Sequence, residues 1–92
     1  MKVETTKAFS RSLRGRTDIE LQSVAGAMQT AAGTFGRPHL HTGIDIRRIG
    51  QNLFECRVSI DLRLLFKSER DSLVFVLAGS HDEVRAFLKN TK

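Results

Sequence analysis

Between Phe54 and Phe66 the chain alternates with a period of two. Phe54, Cys56, Val58 and Ile60 are apolar, with Glu55, Arg57 and Ser59 between them; Leu62, Leu64 and Phe66 then alternate with Arg63, Leu65 and Lys67. Successive side chains of a strand point to opposite faces, so two such runs read as an antiparallel hairpin with one apolar face. A turn around Ile60 opposes Phe54 to Phe66, Cys56 to Leu64 and Val58 to Leu62 on the core side. The other face then pairs Glu55 with Leu65 and Arg57 with Arg63. A slip of one residue would set core positions against solvent positions throughout, so the pattern itself specifies the parity.

Two arginines directly opposite on one face repel each other. Either an anion sits between them, a phosphate or carboxylate gripped by guanidinium donors, or both side chains run out to solvent or pair with Glu55. Arg47 and Arg48 lie on a neighbouring strand that begins at Ile44 and Ile46, with one of the two on the arginine face. His81, at the end of the last strand, adds a titratable group beside it.

The remaining elements follow from local signals. Residues 1–6 suit a short first strand, and Phe9 and Leu13 share one face of a brief helix. Thr17-Asp-Ile-Glu20 is a capping box opening the clearest helix, with Leu21, Val24, Ala25, Met28, Ala31 and Ala32 as its apolar stripe and Gly33 as its stop. Residues 36–43 hold turn formers and two histidines. Residues 73–78 are continuously apolar, as in a strand covered on both faces, and Ser68–Ser72 is the polar turn before them. Ser80-His-Asp-Glu83 is a second capping box, opening a short helix with Val84, Phe87 and Leu88 inward. The expected fold class is α+β: a three- to four-stranded, mainly antiparallel sheet, two N-terminal helices on one face and a short C-terminal helix. At 92 residues the chain has room for a single domain, 1–92.

Charge and cysteine usage narrow the function classes. Fifteen Lys and Arg, ten of them Arg, against ten Asp and Glu give +5, which favours an anionic partner such as nucleic acid. Residues 1–16 alone carry five bases and one acid. A single cysteine, Cys56, excludes an internal disulfide, and its place on the apolar face reads as a buried, inert thiol. The longest apolar run, 73–78, is far short of the roughly 20 residues of a membrane helix, and the N-terminus has no signal-peptide core. A cytoplasmic domain without a membrane partner is the default reading. His39 and His41 form a His-x-His, but no third ligand has metal-site spacing; they read as loop or RNA-contacting histidines, and no metal or other cofactor is expected. The phenylalanines fall at core parity, which argues against a base-stacking platform.

The segment Leu53-Phe-Glu-Cys-Arg-Val-Ser-Ile-Asp-Leu-Arg-Leu-Leu-Phe66 resembles the strand–turn–strand of the RelE/ParE toxin superfamily of type II toxin–antitoxin systems. The ending Val76-Leu-Ala-Gly-Ser-His-Asp-Glu-Val84 is similar to that family's last strand and its C-terminal His or basic residue, and the element order matches along nearly the whole chain. For the RelE-like branch the resemblance implies a toxin that is a ribosome-dependent mRNA endonuclease, an mRNA interferase inhibiting translation. In that reaction a 2′-OH attacks its own 3′-phosphate without a metal. Arginine, always charged and bidentate, suits the phosphorane, and histidine suits the proton. Arg63 matches the family's Arg before the hydrophobic pair, His81 the late His, and Arg57 the second clamp. Arg47, Arg48, His41 and Lys67 are the expected RNA contacts.

The sequence also departs from the pattern. It has no Tyr or Trp, so the C-terminal aromatic of some members is missing, and five residues rather than four separate Arg57 from Arg63. Two further readings stay open: a non-enzymatic ParE-like inhibitor of DNA gyrase, and a non-toxic RelE-fold binding module. Both toxin readings imply a cognate antitoxin, whose extended or helical segment would block the basic face or displace the C-terminal helix. The nuclease reading adds the ribosome and mRNA as partners.

Overall fold

The computed structural model describes residues 1–35 and 45–90. In chain order its elements are β1 (Lys2–Thr5), α1 (Lys7–Ser12), α2 (Asp18–Thr34), β2 (Arg47–Arg48), β3 (Leu53–Ser59), β4 (Leu62–Glu69), β5 (Ser72–Gly79) and α3 (His81–Lys89). One five-stranded sheet runs in the order β1-β5-β4-β3-β2, one strand more than the upper expectation of four, with the expected first strand and the Arg47–Arg48 strand as its edges. β1 pairs parallel to β5, and every other pair is antiparallel.

The hairpin register holds along most of its length. Leu53 faces Lys67, Phe54 faces Phe66, Glu55 faces Leu65, Cys56 faces Leu64 and Arg57 faces Arg63. It fails at the tip, where Ser59 rather than Val58 faces Leu62. The shift takes Val58 out of the ladder as a bulge and tightens the turn to Ile60-Asp61, which leaves Ile60 85% exposed. A second irregularity in β5, between the Leu65–Leu77 and Phe66–Phe75 pairs, displaces Val76. Thr6 answers it, its hydroxyl donating to the carbonyls of Phe75 and Val76 at 3.4 and 3.3 Å.

The inner face of the sheet packs under α1 and α2. Phe9, Val24, Ala27, Ala31, Cys56, Leu64, Phe66, Leu73 and Phe75 are all buried in one cluster. Five of the six phenylalanines form a continuous series of ring contacts, Phe9–Phe75–Phe66–Phe54–Phe35, with centroids 4.8 to 5.9 Å apart. Both capping boxes are present, Thr17 with Glu20 and Ser80 with Glu83. The buried stripe of α2 is rotated from the expected one: Ala27 is buried, whereas Leu21 and Ala25 are exposed. Apolar residues lie all around this helix, so the choice of face is made by packing rather than by pattern. α2 also passes through Gly33 to Thr34, since a glycine weakens a helix without ending it when Phe35 beyond it packs into the core.

α3 packs on the opposite face from α1 and α2. Phe87 and Leu88 line one cavity with Leu65, Lys67 and Val76, on the side of β4 opposite to Leu64 and Phe66. Leu65, Val74 and Val84 are buried there, forming a second, smaller apolar layer. Leu65, which falls between solvent-facing positions in the alternation, is therefore a core residue. Among the described residues, no helix is long and apolar enough to cross a membrane.

Candidate functional site

One row of backbone partners crosses the sheet near the hairpin tip. Arg57 on β3 faces Arg63 on β4, which faces Gly79 on β5; His81 follows two residues later as the first residue of α3. The row thus gathers the three residues expected to be catalytic at one end of the sheet. Arg47 faces Glu55, two positions along β3 from Arg57 on the same face, and its guanidinium pairs with no carboxylate among the described residues.

The protein itself supplies a carboxylate partner to each of the two arginines. Arg63 Nη1 donates to Glu55 Oε1 at 3.1 Å, with side chains only 13% and 6% exposed. Arg57 lies 3.9 Å from Asp45 in an exposed pair. Of the two outcomes the repulsion argument allowed, pairing with Glu55 is realised for Arg63. Arg63 Nε is buried without a partner among the described residues, so the fork is only partly used. Asp45 is the partner the sequence did not reveal: it precedes β2 and reaches Arg57 only through tertiary placement.

Other expected contacts lie apart. Arg48 is turned onto its own loop, donating from Nε to the Gly50 carbonyl and from Nη2 to the Gln51 carbonyl, both at 2.9 Å. That makes it a turn brace. Lys67 sits four residues from Arg63 along β4, about 13 Å away, and pairs with Glu69 at 3.5 Å. His39 and His41 lie outside the described residues. Among the described residues no three His, Cys, Asp or Glu side chains cluster as metal ligands.

His81 is exposed, and its backbone is fixed by the cap beneath it. Ser80 Oγ accepts from the Glu83 N–H at 3.1 Å, and Glu83 Oε1 accepts from the Ser80 N–H at 2.8 Å. That backbone hydrogen bond holds the Glu83 carboxyl below its ordinary range, against a desolvation that raises it; the Ser80 hydroxyl and the Arg16 charge lower it further. Arg16 ties this cap to the start of α2, lying 3.5 Å from Glu20 and 4.0 Å from Glu83. Its i,i+4 spacing to Glu20 is visible in the sequence, but its reach to Glu83 is not. Cys56, beside Glu55 but on the inner face, is fully buried; burial, and then the Glu55 charge, pushes its thiol up to about 12.

No family model matches the chain, and no curated protein matches it significantly. Solved structures do match. A metal-bound toxin from Helicobacter pylori superposes with a TM-score of 0.72 at 21% identity, over 91% of this chain and 98% of that one. YafQ from E. coli gives 0.71 at 15% identity, over 90% and 96%. A chain of the RelB–RelE antitoxin–toxin complex from Methanococcus jannaschii gives 0.70 at 13% identity, over 91% and 96%. The helices, the five-stranded sheet and the C-terminal helix of this chain are thus those of the RelE-like toxin fold.

Proposed function

We propose that this chain is the toxin of a toxin–antitoxin pair and that it cleaves mRNA on the ribosome. The observation that carries the reading is the Arg57–Arg63–Gly79 row with His81 two residues beyond it. In the proposed reaction a ribose 2′-OH attacks its own 3′-phosphorus, and the P–O5′ bond breaks. The 2′ proton passes to a base, and the departing 5′-oxygen takes a proton from an acid. A 2′,3′-cyclic phosphate and a 5′-hydroxyl result. Arg57, exposed and held only by a long contact to Asp45, meets the phosphate oxygens, with Arg63 anchored behind it by Glu55. His81 supplies or accepts the proton. The RelE-like fold, and the presence of RelB–RelE and DinJ–YafQ complexes among its structural neighbours, support an antitoxin as partner.

One observation favours a second reading. Glu55 neutralises Arg63, which reduces the positive charge the row offers an RNA phosphate. A toxin that binds DNA gyrase in the ParE manner without cutting RNA needs no such charge.

Mapping mRNA 5′ ends minutes after induction separates the two readings. Arg57→Ala and His81→Ala are the variants of choice because both side chains are exposed. The nuclease reading expects new ends within reading frames, reduced about 10²–10³-fold by loss of one transition-state cation and about 10²–10⁴-fold by loss of the proton-transfer group. Growth arrest without new ends moves the assignment to gyrase.

A further inference from the structure

The described part of the chain carries a second cationic surface, away from the arginine row. Lys7, Arg11 and Arg14 lie along one side of α1 and the turn that extends it, where the Arg14 N–H still donates to the Arg11 carbonyl. Together with Thr5, Thr6 and Ser10 they line an open groove of about 340 Å³. All three basic side chains are exposed, and none is paired with a carboxylate among the described residues. α1 has no acidic residue in its first turn. Lys7 and Arg11, like charges four residues apart on this helix, repel each other.

We propose that this groove is a docking track for the phosphate backbone of RNA, distinct from the residues placed in the reaction. Charge complementarity identifies the occupant, and the lining decides between RNA and an acidic polypeptide. The groove contains only bases and hydroxyls, the side chains that most often contact phosphate and sugar. It has no apolar or aromatic anchor of the kind that carries the energy of a protein interface. Its length also fits. Residues 7 to 14 extend over about 10 Å at helical rise, long enough for each of the three basic side chains to meet a separate phosphate of one strand.

The track runs towards the end of the sheet that carries the candidate site, on the opposite face of the sheet from the arginine row. Thr6 contacts the carbonyls of Phe75 and Val76, Ser12 Oγ accepts from the Ala78 N–H at 2.9 Å, and Arg16 reaches Glu83. The segment from Lys7 to Arg14 therefore runs along β5 towards the end of the sheet where His81 begins α3. RNA held on the track is led to that end. This last step rests on the nuclease reading; the docking itself does not.

The test uses the purified full chain and an unstructured, labelled 20-nucleotide single-stranded RNA, with affinity measured across a salt series. Losing three phosphate contacts in a Lys7→Gln/Arg11→Gln/Arg14→Gln variant flattens the slope of log affinity against log salt by about 2, at roughly 0.7 per contact on single strands. From about 50 to about 200 mM salt the wild type then loses about 20-fold more affinity than the variant. An unchanged slope in a variant with wild-type circular dichroism overturns the proposal. So does a variant that keeps its RNA affinity but loses binding to poly-glutamate, which would mark a protein-docking face. If the wild type produces no new mRNA ends in cells while the slope still flattens, the nuclease reading fails and the track stands.

Discussion

Removing the Arg63 side chain strands Glu55. The Glu55 side chain is 6% exposed and has Arg63 Nη1 as its partner at 3.1 Å, so Arg63→Ala leaves a carboxylate buried without its counter-ion. Breaking a buried pair from one side costs about 3–5 kcal/mol. Because Arg63 keeps 13% exposure and water can enter, the lower figure, about 3 kcal/mol, is the expectation. At about 0.05–0.15 kcal/mol per residue, a 92-residue domain holds about 5–14 kcal/mol in all. The loss is therefore a large share of the total, equivalent to a fall in Tm of about 12–24 °C at about 4–8 °C per kcal/mol. Urea unfolding of the wild type, Arg63→Ala, Glu55→Gln and the double variant measures it. Glu55→Gln removes the stranded charge, so adding it to Arg63→Ala should restore about 1 kcal/mol or more, although it destabilises the wild type. Strict additivity in that cycle, or an Arg63→Ala variant within about 0.5 kcal/mol of wild type, would refute the argument. The expected result also bears on any activity assay, since an Arg63→Ala chain that loses function will have lost much of its stability as well.

Three further outcomes follow from the geometry. The carboxyls of Glu20 and Glu83 are both held below the ordinary value of 4.5, chiefly by the Thr17 and Ser80 backbone N–H groups respectively, so they stabilise the fold above that pH and the contribution fades as pH falls through their folded values. A Glu20→Gln/Glu83→Gln variant keeps the capping hydrogen bonds but does not titrate, and its acid-unfolding curve should be shallower below about pH 4.5; an unchanged curve would disprove the linkage. Cys56, with its thiol pushed up to about 12, should resist iodoacetamide at pH 8 in the folded chain and react in urea; rapid labelling without denaturant would show that the site opens. Arg16→Met should loosen α3 and the first turn of α2: its half-exposed contacts to Glu20 and Glu83 are worth about 0.2–1 kcal/mol, so amide exchange in those two segments should speed up by about 5-fold at most while β4 and β5 stay unchanged. Equal acceleration across the sheet would mean that Arg16 supports the whole fold.

What the sequence could disclose depended on how local the determining interaction is. The pairing from Leu53–Lys67 to Arg57–Arg63 was legible because each strand carries its apolar run on one side, and a shift by one would set Glu55 and Arg57 of β3 against the apolar run of β4. At the tip that constraint weakens: Val58 can leave the ladder because Ile60 and Asp61 have no packing to lose. The two capping boxes were legible because Thr17, Glu20, Ser80 and Glu83 satisfy each other's backbone groups within four residues. The stripe of α2 was legible in part: Val24, Met28, Ala31 and Ala32 meet the core as the spacing requires, whereas Leu21 and Ala25 are exposed and Ala27 takes their place. Leu21 and Ala25 are as apolar as Ala27, and only packing selects between them.

The candidate site shows the same division. Parity alone placed Arg57 opposite Arg63, and the β5 pairing then brought His81 to the same end of the sheet. The charge state of that end is a tertiary property. It is set by burial of the outer face, where α3 packs over Leu65 and makes an unpaired guanidinium costly, and by Asp45 arriving from outside the hairpin. A sequence can therefore expose two like charges in register while concealing whether a ligand or a carboxylate of the same chain separates them. Here a carboxylate does so for Arg63, whose guanidinium is committed to Glu55 at 3.1 Å, whereas the 3.9 Å contact of the exposed Arg57 to Asp45 costs little to exchange for a phosphate. That asymmetry gives the two arginines different standing in the fold: the Arg57 guanidinium is open to a change of partner, and the Arg63 guanidinium is held within the sheet.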